Sequence, residues 1–161
     1  MKLFGAFLLA TAGFAAGSLA AREKKNTLDR MKAVTELISH LLRRIENSNV
    51  LLSDAINEYK SEVLMQCGFY AAFDGGRAAV SRVWQNAVYS LSLPPEANAV
   101  LLSLGNGFGL ICREKQLEAL KRTQAELETL ITAANERLVK ASRCYGMLGA
   151  LAGLLAAILL A

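Results

Sequence analysis

Apolar residues recur at spacings of three and four along most of this chain, and no alternating run of strand length interrupts them. Leu117, Leu120, Gln124, Leu127, Ile131, Ala134, Leu138 and Ala141 form a heptad seam broken once by a polar residue, Gln124. The stretch that carries it, Arg113 to Ala161, has no proline and no glycine before Gly146, so one long helix is predicted. Met31, Val34, Ile38, Leu41 and Ile45 mark an equivalent seam on a helix over 26–46. Asn26 or Thr27 can cap that helix, with Asp29 in its first turn, unless it runs straight on from the preceding segment. The two seams are expected to pair antiparallel, as a coiled coil does, and form a spine.

Shorter elements lie between them. Asn47-Ser48-Asn49 reads as a turn. Ser53 is an N-cap candidate and Asp54 suits the first turn of a helix carrying Ala55, Ile56, Tyr59, Val63 and Met65 to near Gly68. The aromatic stretch Phe69–Phe73 and an Asp74-Gly75-Gly76 loop follow. A stripe of Val80, Val83, Trp84, Ala87, Val88 and Leu91 predicts a helix over 78–91, with Trp84 in the core. Pro95 with Glu96 starts another helix, through Ala99, Leu102 and Leu104 to Gly105. The expected fold class is all-α, a bundle of five to six helices.

Two runs carry no charge. Leu3–Ala21 has 19 residues, about 28 Å of helix, and Tyr145–Ala161 has 17, about 25 Å, against a hydrocarbon core of roughly 30 Å. They predict transmembrane helices at 3–21 and 145–161, flanking a cytoplasmic helical domain at 22–144. On this reading the last helix is a rod, with about 48 Å from Arg113 to Cys144 before it enters the membrane. Two small-xxx-small pairs, Gly13 with Gly17 and Gly149 with Gly153, would let these helices pack closely, on each other or on another subunit. The alternative for the first run is a cleaved signal peptide with a Ser18-Leu19-Ala20 cleavage site, in an exported, tail-anchored coiled-coil structural or signalling protein. Length and the immediate basic flank Arg22, Lys24, Lys25 favour the anchor. Arg137, Lys140 and Arg143 flank the second run on the same side. Both spans therefore predict a cytoplasmic middle domain and extracytoplasmic termini.

Composition adds little chemistry. A pI near 9.1 arises from a formal net charge of only +4, with acids and bases mixed along helical faces, so no nucleic-acid partner is expected. Cys67, Cys112 and Cys144 are too few and too widely spaced for a disulfide framework or zinc site, and the lone His40 adds no ligand cluster. Gly105-Asn106-Gly107-Phe108-Gly109 lacks the strand of a dinucleotide fold and the lysine and hydroxyl of a P-loop, so it reads as a corner between helices. Glu114, Glu118, Glu126 and Glu128 read as helix-face charges. No catalytic residue, cofactor, metal or small-molecule substrate is predicted.

Leu104-Gly105, Phe108-Gly109 and Gln116 resemble the pattern L/F-G-x-x-L-G-x-x-D-x-x-x-Q of the stage III sporulation protein AB family. Ile45 followed by Leu52-Ser53-Asp54-Ala55 resembles that family's I-x-x-x-x-x-x-L-x-E-A, and Trp84 falls where its tryptophan is expected. The closing segment Gly149-Ala150-Leu151-Ala152-Gly153-Leu154-Leu155 has the character of the family's tail. Cys112 stands where the family has aspartate, Leu51 where proline is common, and Arg44 in place of an acid. The resemblance implies a membrane subunit of the sporulation channel complex between mother cell and forespore, on the mother-cell side of the septum. It also implies a soluble domain similar to the cytoplasmic domain of type II secretion system protein F. The implied partners are a secretion-type ATPase, stage III sporulation protein AA, and other membrane subunits of the complex.

Overall fold

The computed structural model describes the backbone of residues 2–47, 52–73, 80–108 and 113–160, with side chains over 22–47, 54–73, 80–108 and 113–141. These residues form six α-helices: α1 (Lys2–Asn47), α2 (Leu52–Glu58), α3 (Glu62–Gln66), α4 (Val80–Ser90), α5 (Pro95–Gly107) and α6 (Arg113–Leu160). A 3-10 turn, Tyr70–Ala72, joins α3 to the segment before α4, and there is no strand among the described residues. The all-α reading holds.

The chain divides into two compact units, Thr27–Thr132 and the pair of segments Met1–Asn26 and Ala133–Ala161. The second unit holds both uncharged runs, and their backbone is helical. Gly13 and Gly17 in the first run, and Gly149 and Gly153 in the second, were expected to pack against a partner helix. The surroundings of Gly13, Gly17, Gly149 and Gly153 lie outside the described residues, so that expectation has no counterpart in the structure. Among the described residues, no helix is long and apolar enough to cross a membrane.

The core of the Thr27–Thr132 unit starts on α1. All five seam residues are buried, Met31 to Ile45, and so are Leu28, Leu37 and Leu42. The buried stripe is thus wider than a two-position seam, as on a helix covered along a broad face. No cap stops the helix at Asn26 or Thr27, since α1 passes through both; helical propensity outweighs a capping residue that has no turn before it.

Two expectations change on the short elements. The single helix expected after Asp54 is broken into α2 and α3 at Tyr59–Ser61, where Ser61 is extended (φ −114°, ψ 129°). The Ser61 N–H donates to the Tyr70 hydroxyl at 3.2 Å, a tertiary bond that substitutes for the missing helical one. Ser53 lies inside α2 rather than at its cap, and only Asp54 keeps its first-turn place. Gly68, at φ +74°, ends α3 as glycine readily does.

Further on, α4 buries Trp84, Ala87 and Val88, but leaves Val80 37% exposed. Its end is closed by Ser92, a non-glycine residue at φ 49° whose N–H donates to the Tyr89 carbonyl at 3.3 Å. Arg30 of α1 donates to the Leu91 carbonyl at the same terminus, 3.1 Å away. Pro95 opens α5 and Glu96 sits in its first turn, as expected. The buried face of α5 is Ala97, Leu101, Leu104 and Gly105, whereas Ala99 is exposed.

On α6 the inward residues are Leu120, Thr123 and Leu127, with Leu117, Leu130 and Ile131 packed at the margin. Gln124 turns outward and donates to Glu128 at 2.8 Å, so Thr123 takes the polar position in the core. A straight helix of 3.6 residues per turn drifts off a strict heptad, which moves the buried line by one residue here.

Candidate functional site

Trp84 is the centre of the packing between α4 and α5. Its ring is fully buried and meets Phe69 and Phe108 edge to face, with centroids 5.8 and 4.9 Å away. Its Nε1–H donates to the Leu101 carbonyl at 2.7 Å. One turn along α5 from Leu101 is Gly105, and a Cβ there would sit 2.5 Å from Trp84 Cδ1. The indole therefore lies directly on the helix backbone, a position only glycine permits. This corrects the corner reading: Gly105 is inside α5, which continues to Gly107, and Phe108 caps it through an N–H to the Gly105 carbonyl at 3.3 Å. Its use is close packing, not a phosphate loop.

Polar contacts tie α1 to its neighbours. Arg44 donates to both carboxylate oxygens of Glu58 on α2, at 2.8 and 2.7 Å. The Arg113 guanidinium at the start of α6 donates to the carbonyls of Ile45 and, at 2.8 Å, Glu46, satisfying acceptors that the end of α1 leaves open. Lys121 of α6 pairs with Glu46 at 2.8 Å. These contacts hold the start of α6 against the end of α1, while Leu120 and Leu127 share one core with Met31 to Ile45.

The Tyr59 hydroxyl donates to Glu36 at 3.1 Å, and its ring lies 5.3 Å from that of His40. Burial, then the Glu36 carboxylate beside it, pushes the Tyr59 phenol up to about 12. Burial also raises the Tyr70 phenol, against the opposing bond from Ser61. His40 Nδ1 is buried with no hydrogen-bond partner among the described protein atoms. A shallow groove between α5 and α6 is lined by Glu96, Val100, Glu126, Thr129 and Leu130. Glu126 pairs there with Arg122 at 2.8 Å. Among the described residues there is no cluster of histidine, cysteine and carboxylate side chains that could hold a metal ion.

The model of the family described as stage III sporulation protein AB matches residues 2–161. The chain belongs to that family. Comparison with curated proteins and with solved structures finds no match. Membership in the stage III sporulation protein AB family carries a sporulation-related role, and it places the motif residues in context. Gly105 is the backbone seat for Trp84, so these two motif residues form one contact. Ile45 and Ala55 are buried in the same core. Gln116 is half-buried on the first turns of α6. Gly109, Cys112 and Leu51 lie outside the described residues. Arg44, a departure from the family's acid, has its charge met by Glu58. The contacts of Arg113 and Tyr59 were not legible beforehand, because each joins residues distant in sequence and follows no local spacing.

Proposed function

We propose that this chain is a non-enzymatic membrane platform subunit of the sporulation secretion or channel complex between mother cell and forespore. The observation that carries the reading is the family match over residues 2–161. The runs 3–21 and 145–161 are its membrane helices, and the helical domain between them is cytoplasmic, docking a secretion-type ATPase and neighbouring membrane subunits. Two anchors hold such a domain and its partners at high effective concentration, so individually weak contacts suffice for assembly.

The test is retention of the ATPase of the same complex by the full chain, purified in detergent and immobilised. Specific, saturable retention is expected. A folded chain and a folded ATPase that do not associate, alone or with the other membrane subunits present, would sink the docking role. The intact mass of chain extracted from membranes separates the alternative: residues 1–20 are retained in a platform subunit and lost from an exported, tail-anchored protein.

A further inference from the structure

Apart from Lys2, whose charge offsets the one-acid excess of residues 27–132, the basic excess of this chain lies in two short helical segments. Residues 27–132 carry 11 lysines and arginines against 12 acids, while residues 22–26 and 133–143 carry six against two. The latter difference, +4, equals the formal net charge of the whole chain. Both segments belong to the same compact unit, Met1–Asn26 with Ala133–Ala161. Arg22, Lys24 and Lys25 on α1 are exposed, as are Arg137 and Lys140 on α6. The ion pairs Arg44–Glu58, Lys121–Glu46 and Arg122–Glu126 engage none of these five. Each segment directly adjoins an uncharged run, with no break in the helix between them.

We propose that Arg22, Lys24, Lys25, Arg137 and Lys140 form a two-sided collar that binds anionic lipid headgroups. The inference rests on the reading of 3–21 and 145–161 as membrane helices and goes beyond it. A neutral headgroup layer would satisfy a hydrophobic span equally well, whereas a net excess of exposed cations at its edge selects phosphate-bearing lipids of net negative charge. Lysine and arginine stems can lie along the apolar boundary while their heads reach the phosphates. The attraction falls off within a Debye length, about 8 Å at physiological salt, so it acts on lipids touching the two helices and not on the bulk membrane. A collar on both helices of one unit also resists sliding of either along the membrane normal, since moving the charges inward or outward loses headgroup contacts.

The experiment compares the full chain with a variant carrying R22Q, K24Q, K25Q, R137Q and K140Q, each reconstituted with spin-labelled phosphatidylglycerol or phosphatidylcholine. Trp84 fluorescence checks that both are folded. The expected result is roughly fivefold or greater enrichment of the anionic label around the natural chain. That enrichment should be weakened by salt and lost in the variant, which stays embedded. Equal contact with both lipids, or an enrichment that the variant keeps, overturns the collar while leaving the membrane spans intact. A chain that floats only with anionic vesicles supports the collar and overturns the spans; one that floats with neither overturns both. A short DNA duplex at equal phosphate concentration should leave the enrichment unchanged, and displacement of the lipid by it would assign the collar to nucleic acid instead.

Discussion

Gly105 and Trp84 share a constraint that neither residue has alone. The missing Cβ admits the indole to within hydrogen-bond reach of the Leu101 carbonyl, and Phe69 and Phe108 close the ring in on its sides. A Gly105→Ala change gains helix propensity of about 1 kcal/mol. It must also displace a rigid, fully buried ring that has nowhere to go. Overpacking of about 1–3 kcal/mol against that gain leaves an expected net loss of up to about 2 kcal/mol. It would be read as a lower urea midpoint for the full chain in detergent, followed through Trp84, the single tryptophan. With Trp84→Phe in place, followed by circular dichroism, the same change should cost clearly less, because the smaller ring frees the space. Equal costs in both backgrounds would mean that the contact does not set the role of Gly105. The position was legible in the sequence as a family motif residue, but its purpose was not. A glycine followed at once by Asn106 and Gly107 looks locally like a loop.

Among the elements, the joints between helices were the least legible. Helical periodicity located α1, α4 and α6 because their buried faces repeat along the sequence, whereas Pro95 with Glu96 marked the start of α5, whose buried face is Ala97, Leu101, Leu104 and Gly105 and leaves Ala99 exposed. The split between α2 and α3 had no such signal: it depends on Tyr70 accepting from the Ser61 N–H, nine residues away. The Tyr59 hydroxyl at that joint reaches back to Glu36 on α1, and burial of the phenol, with this contact second, gives the fold an alkaline limit. The folded-state pKa of Tyr59 is pushed up to about 12 from 10.0, so the protonated phenol favours the fold. That contribution is complete below pH 10 and is lost as pH rises from about 10 to about 12, where a phenolate would face the Glu36 carboxylate. Thermal unfolding of the full chain should therefore fall across this window. In Tyr59→Phe the fall should be shallower but still present, since the Tyr70 phenol is also raised. An unchanged slope in Tyr59→Phe would show that titration of Tyr59 contributes nothing to the alkaline loss.

For the molecule as a whole, the proposed orientation rests on charge placement: Arg22, Lys24 and Lys25 follow the first uncharged run, and Arg137, Lys140 and Arg143 precede the second. Cys67, half-buried in the Thr27–Thr132 unit, provides the check. An impermeant thiol reagent added to intact cells should leave it unlabelled, and should label it once membranes are opened and denatured. Labelling in intact cells would place the domain outside the cytoplasm and reverse the orientation.

The all-α class, the long final helix, the apolar runs and the family resemblance all followed from residue order. Each depends on spacing or composition within a contiguous stretch, and burying a helix face requires the same repeat whatever partner covers it. Which face α6 turns inward at Thr123, why Gly105 must be glycine, and how Arg113 closes the end of α1 depended on contacts between separate elements. Such contacts arise from the three-dimensional packing of rigid helices, where one side chain's position is set by the volume its neighbours leave, and no periodicity along the chain encodes that volume.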